Sequence, residues 1–154
     1  MAPFVLRVRG MKLTDSIDEL TERIIACAIA VHTTLGPGLL ESIYLDCLTI
    51  ELVAAGLRVE RNRSVPVMYR GQRVRDDLKL DLVVEGCIVI EVKAVDRLHP
   101  VHLAQLITYL KLTGFPAGLL MNFNATTLCG GLKRVDHPDR YAAQHARPVP
   151  PKAE

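Results

Sequence analysis

The stretch Lys79-Leu80-Asp81-Leu82-Val83-Val84-Glu85-Gly86-Cys87-Ile88-Val89-Ile90-Glu91-Val92-Lys93-Ala94 decides the reading of the chain. Two apolar-rich runs flank a turn at Val84-Glu85-Gly86, which predicts an antiparallel hairpin. Side chains alternate between faces along a strand, so the loop length sets which residues share a face. A two-residue loop, Glu85-Gly86, would place Asp81 opposite Ile90 and separate it from Glu91. A three-residue loop with Gly86 in the left-handed conformation gathers Leu80, Leu82, Ile88, Ile90, Val92 and Ala94 on one face. It then gathers Lys79, Asp81, Glu91 and Lys93 on the other. Register follows the hydrophobic pattern, so the three-residue loop is expected. Finding Asp81 and Glu91 on opposite faces would defeat the functional reading built on them.

Upstream of this hairpin, Ile17, Leu20, Ile24, Ala28 and Val31 recur at three- and four-residue steps and predict a helix beginning near Asp15 or Ser16. Gly36-Pro37-Gly38 breaks the chain, and Pro37 suits the first turn of a second helix. Leu40, Ile43, Cys47, Leu48 and Leu52 continue that helix until Gly56. Val59, Val65, Val67 and Tyr69 then point to strands, with turns expected at Asn62-Arg63-Ser64 and Gly71. Downstream, His99-Pro100 opens a third helix, on which Leu103, Leu106, Ile107 and Leu110 form the apolar stripe. Gly114 ends it, and a last strand is expected over about 117–123. The order implies an α/β or α+β fold with one main sheet.

The chain has 154 residues, with 19 Lys+Arg against 17 Asp+Glu. That is one domain in size, and its near balance of charge excludes nucleic-acid binding by net charge alone. No apolar run is long enough to span a membrane, and the first residues lack the apolar core of a secretory leader. Cys27, Cys47, Cys87 and Cys129 form no CxxC pair, so structural zinc has no support. Free cysteines among apolar neighbours fit a cytoplasmic protein. Residues 1–13 read as an N-terminal extension, 14–135 as the domain, and the proline-rich 136–154 as a flexible tail.

On the third helix, His102, Gln105 and Tyr109 share a face at i, i+3 and i+7. Glu41 stands in the first turn of the second helix, with Tyr44 three residues on. One sheet face and two helices are thus expected to converge on a polar cleft. The bland alternative is a solvated outer face carrying weak ion pairs.

Taken together, Gly38-Leu39-Leu40-Glu41-Ser42-Ile43-Tyr44 (GxxExxY), Asp81 followed by Glu91-Val92-Lys93 (D…ExK) and Gln105-Leu106-Ile107-Thr108-Tyr109 (QxxxY) resemble the GxxExxY proteins, a branch of the PD-(D/E)XK nuclease superfamily. Leu80 stands where the superfamily's proline would be. The resemblance implies a restriction-endonuclease-like αβββαβ core and an enzyme hydrolysing nucleic-acid phosphodiester bonds with Mg²⁺ or Mn²⁺. Asp81 and Glu91 would be the principal metal ligands, with Val92 adding its carbonyl and Glu41 holding the metal or its water. Lys93 would position the attacking water or stabilise charge, and Gln105 and Tyr109 would orient the lysine and meet phosphate. The chemistry is coherent: Mg²⁺ prefers a few carboxylates plus water and phosphate oxygens, and phosphoryl transfer depends mainly on positioning and charge stabilisation. Lys93 reads as an electrostatic group rather than a neutral base.

Six arginines, Arg58, Arg61, Arg63, Arg70, Arg73 and Arg75, lie between the helices and the hairpin. Guanidinium forks suit phosphate, so Arg61, Arg63 and Arg73, with His102, are candidate substrate contacts; an ordinary charged sheet edge is the alternative. His32 reads as structural, His99 as a helix cap, and Tyr44 as support for Glu41. Few aromatics argue against stacking on single-stranded bases. The partner expected is nucleic acid, DNA before RNA, and a homodimer is plausible. A catalytically silent binding module and a scaffold protein are the competing readings.

Overall fold

The structure is a computed structural model and describes residues 13–140. Residues 1–12 and 141–154, which hold nearly all of the expected extension and most of the expected tail, lie outside the described residues. The elements run α1 (Leu13–Leu35), α2 (Glu41–Ala54), β1 (Val59–Tyr69), β2 (Gln72–Val84), β3 (Ile88–Lys93), α3 (Pro100–Thr113), β4 (Ala117–Asn122) and β5 (Leu132–Asp136). The strands form one five-stranded sheet in the order β1-β2-β3-β4-β5. All neighbours are antiparallel except β3 and β4, which run parallel because α3 carries the chain across. This is a mixed sheet with flanking helices in the αβββαβ order, with β5 added as a strand beyond the expected set.

Each sheet face is covered. Ile24, Ala28, Val31, Tyr44, Leu48 and Leu52 of α1 and α2 pack against Leu82, Val84, Ile88, Ile90, Val92, Leu119 and Met121. On the opposite face, Leu106, Tyr109 and Leu110 of α3 pack against Val65, Leu80, Val83, Val89 and Leu120. β3 is therefore central and buried on both sides from Ile88 to Val92, as parallel pairing in α/β sheets requires. Gly118 of β4 lies directly under Leu106, where a Cβ would collide with that side chain.

The hairpin has a three-residue loop, as expected, but it lies at Glu85-Gly86-Cys87 rather than Val84-Glu85-Gly86. Leu82 pairs with Ile90, Val83 with Val89 and Val84 with Ile88, leaving a three-residue loop. Glu85 and Gly86 both take positive φ, 52° and 64°. The strained Glu85 is held by its N–H to Arg58 O (2.9 Å) and by its carboxylate, which accepts from Arg58 N (2.8 Å) and the Arg58 guanidinium.

Three local expectations are corrected. First, Asn62-Arg63-Ser64 is no turn: β1 runs straight through it. Asn62 does adopt φ 52°, and it is skipped in the ladder between Arg61–Leu82 and Arg63–Leu80. Asparagine tolerates this left-handed conformation better than most residues. Second, Leu80 does not share a face with Leu82. It joins the α3 cluster while Leu82 joins the α1/α2 cluster. The interruption opposite Asn62 breaks the two-residue alternation at Asp81. Third, Pro37 lies in the bend before α2, which starts at Glu41 behind the extended N-cap Leu40.

The region after β4 is tied down as far as the described residues go. His137 N–H donates to Pro116 O at 2.8 Å, and Arg140 pairs with Asp136 at 3.2 Å. Arg134 bridges Asp18 of α1 (2.6 Å) and Asp136 (3.2 Å). Among the described residues no helix is long and apolar enough to cross a membrane.

Candidate active site

β2 and β3 stop pairing through their backbones just before Asp81 and Glu91. The two carboxylates occupy the gap. Glu91 Oε1 accepts the Asp81 backbone N–H at 3.2 Å, and Asp81 Oδ2 accepts the Val92 N–H at 2.9 Å. Backbone groups freed by the splayed strands are thereby satisfied, and the carboxylates are fixed side by side. Glu91 is buried, only 5% exposed, while Asp81 is half-buried. Burial, reinforced by the neighbouring Asp81 charge, pushes the Glu91 carboxyl up to about 8. A buried carboxyl beside a second carboxylate attracts either a proton or a cation.

Lys93, two residues beyond Glu91 on β3, is half-buried, and its charge works against the rise at Glu91. Its backbone is clamped from β4. Lys93 lies opposite Asn122, and Lys93 O accepts the Phe123 N–H at 2.9 Å. The buried Asn122 amide donates Nδ2–H to Val95 O (2.9 Å) and accepts Val95 N–H on Oδ1 (3.1 Å). Asn122 was not among the sequence candidates; a polar residue ending the apolar run Ala117-Gly118-Leu119-Leu120-Met121 is the one signal it left.

Glu41 comes from the other helical layer. It opens α2, and burial together with the Asp81 charge raises its pKa while Lys93 lowers it. Glu41 therefore sits within electrostatic reach of both sheet residues. Tyr44, three residues on in α2, anchors the loop ahead of Glu41. The Tyr44 hydroxyl donates to Gly36 O (2.6 Å) and accepts Leu39 N–H (3.1 Å), pinning the loop that leads into α2. Its ring is fully buried and stacks on Phe123 at 4.8 Å between centroids. Gly38 in that loop has φ 105°, which a side chain would strain.

From α3, Tyr109 reaches the group. Burial, then the charges of Glu91 and Asp81, push its hydroxyl up to about 12. His102 is half-buried at the start of α3, and burial followed by the charges of Lys93 and His99 lowers its pKa. His102 Nδ1 accepts the His99 N–H at 3.0 Å, closing the helix start. His99 is the N-cap residue, as expected, and the two side chains make a reciprocal capping box. In the neutral His102 ring this leaves the proton on Nε2. Gln105 is exposed, and no hydrogen bond ties it to the cluster among the described residues.

The arginines do not assemble into one wall. Arg61 pairs with Asp46 of α2 at 2.7 Å, whereas Arg63 pairs with Glu60 (3.2 Å) and lies over the Phe115 ring on the α3 side. The break at Asn62 sends these two to opposite faces. Arg73 is far out on the β1–β2 hairpin, 3.9 Å from Asp76, and Arg75 pairs with Asp77. His32 is structural: it is buried and Nε2 meets Ala125 O at 2.9 Å.

Among the described residues no group of three or more His, Cys, Asp and Glu side chains converges as a ready cage for a metal. The Asp81–Glu91 pair nonetheless fits a hard divalent cation, because Mg²⁺ commonly takes one or two carboxylates and fills the rest of its shell with water and phosphate.

No protein of curated function and no solved structure matches the chain. A family model does, over residues 18–135, and its span runs from the first turns of α1 through β5. Members of that family generally use divalent metal ions such as Mg²⁺, which agrees with paired carboxylates held on two splayed strands beside a lysine. By sequence and by fold, the chain belongs to the PD-(D/E)XK nuclease superfamily.

Proposed function

We propose that this protein is a metal-dependent nuclease of the GxxExxY branch that hydrolyses phosphodiester bonds in nucleic acid, DNA before RNA. The observation that carries the reading is the Asp81–Glu91 carboxylate pair locked into the strand gap, with Lys93, Glu41 and Tyr109 around it. Asp81 and Glu91 would hold Mg²⁺ or Mn²⁺, and the carbonyl of Val92, next in sequence after Glu91, would be a further ligand. A bound divalent ion would supply charge to polarise a phosphoryl oxygen and lower the pKa of water.

The chain's own residues do the rest. Lys93 places a positive charge beside the developing negative charge of the phosphorane-like transition state. Glu41, whose carboxyl burial pushes above its usual range, orients water by hydrogen bonding. Tyr109 keeps its hydroxyl proton next to two carboxylates, so it donates a hydrogen bond rather than serving as a base. His102 Nε2–H and the exposed Gln105 would meet substrate along α3. Of the candidate arginines, Arg63 on the α3 side is assigned contact with the backbone of a longer polymer, while Arg61 and Arg73 lie apart from it. The four free cysteines suit a cytoplasmic setting.

The test is cleavage of single- and double-stranded DNA and RNA with Mg²⁺, Mn²⁺ or chelator. Asp81→Ala and Lys93→Ala are run beside the parent. Metal-dependent cleavage that disappears in both variants carries the proposal. Absence of cleavage with retained, salt-dependent nucleic-acid binding would assign a silent binding module instead.

A further inference from the structure

α2 carries apolar residues on its outer as well as its inner side. Tyr44, Leu48 and Leu52 face the core, yet its outer side carries Leu40, Ile43, Ile50 and Val53, with 71, 38, 68 and 58% exposure. A helix of this kind is ordinarily covered on both sides. The spacing of the four says what covers it. Steps of three, seven and three residues read the same in both directions, centred between Asp46 and Cys47. Such a stripe is its own complement in an antiparallel pair. Ile43 then meets the second copy's Ile50, and Leu40 and Val53 of opposite copies lie at one level.

Ile29 and Leu35 of α1, 39 and 38% exposed, add apolar surface in the same helical layer. Charge does not oppose the contact: the Asp46 carboxylates that a two-fold axis brings together are each neutralised by Arg61 at 2.7 Å.

We propose that the outer face of α2 is a two-fold homodimer interface in which two copies pack α2 against α2 antiparallel, centred between Asp46 and Cys47. The proposal is independent of the nuclease reading, since none of its apolar residues belongs to the candidate active site.

Light scattering on the full chain, over a concentration range reaching tens of micromolar, is the first measurement. The expected mass is twice 17.0 kDa. Ile43→Lys alone and Ile50→Glu alone should each weaken dimerisation about 30-fold or more. Both positions are exposed, so circular dichroism should show folded chains. The double variant faces each lysine with a glutamate of the other copy and should recover dimer. A thiol-specific cross-linker on the Cys129→Ser chain, with α2 unaltered, should join Cys47 to Cys47. A monomer at every concentration overturns the proposal and assigns the face to another occupant, residues 1–12 of the same chain being the first to test. A dimer unchanged by both single substitutions, or cross-linked through no Cys47, overturns it as well.

Discussion

Asp81 and Glu91 hold each other's strands apart. The Glu91 carboxylate takes the Asp81 N–H at 3.2 Å, and the Asp81 carboxylate takes the Val92 N–H at 2.9 Å, where ladder hydrogen bonds would otherwise run. The pair is therefore structural and chemical at once. Removing either group changes both strand spacing and the charge offered to a cation.

One consequence concerns pH in the absence of metal. Glu91 is raised from 4.5 to about 8 by burial and the Asp81 charge. Between those values the folded protein retains a proton that the unfolded chain has released. Stability is thus fully present below about pH 4.5 and falls as pH rises through 8. Glu91→Gln stays neutral and should flatten that fall. At pH 8 in chelator its Tm should exceed the parent's by on the order of 5 °C. Thermal melts across the pH range check this; parallel curves for parent and variant would remove Glu91 as the titrating group.

A second consequence concerns metal. Millimolar Mg²⁺ or Mn²⁺ at pH 8 should raise the parent's Tm by mass action and leave Asp81→Asn and Glu91→Gln unmoved. Chelator should reverse the gain. An equal gain in all three proteins would show that the ion binds elsewhere.

Cleavage should separate the roles of the charged residues. Asp81→Ala and Lys93→Ala are expected to lower turnover by about 10²-fold or more, the usual cost of losing a charged group that acts on the transition state. Lys93→Arg should recover little, because a guanidinium fork does not replace a compact ammonium. Single-turnover rates at saturating substrate make the comparison.

Tyr44→Phe tests the link between the α2 loop and Glu41. It removes both hydroxyl contacts, to Gly36 O and Leu39 N, from a fully buried ring. A loss of about 1–2 kcal/mol in stability is expected, with lower turnover through displacement of Glu41. Denaturant titration gives the first and the cleavage assay the second. Unchanged turnover in a destabilised protein would confine Tyr44 to packing.

Gly131→Ala should act at the other end of the site. A Cβ there would run into the Asn122 carbonyl and sit 2.8 Å from the Ala125 side chain. Asn122 lies opposite Lys93, so the shift is expected to cost about 1–3 kcal/mol and to reduce turnover as well. Asn122→Ala, which frees the Val95 N–H and C=O, should reproduce the effect on turnover.

Much of this protein was written locally in its residues. Apolar periodicity located α1, α2, α3 and β4. The odd-length loop around Glu85-Gly86 kept Asp81 and Glu91 on one face, because a slip of one residue would have exchanged the two faces of one strand. A three-residue spacing put Tyr44 on the same turn of helix as Glu41, while its hydroxyl contacts to Gly36 and Leu39 appear only in the folded chain. Other features depended on partners distant in sequence. The left-handed turn at Asn62 sends Leu80 and Leu82 to different faces and scatters Arg61 and Arg63, and nothing in the alternation of β2 announces it. β5 exists because β4 offers it an edge, and Asn122 matters because Phe123 and Val95 bring it against Lys93. The short-range pattern thus determined most of the elements and which carboxylates meet. Only the tertiary structure decided how the strands part around them and which side chains from the two helical layers close in, since those contacts are made between segments that the sequence leaves far apart.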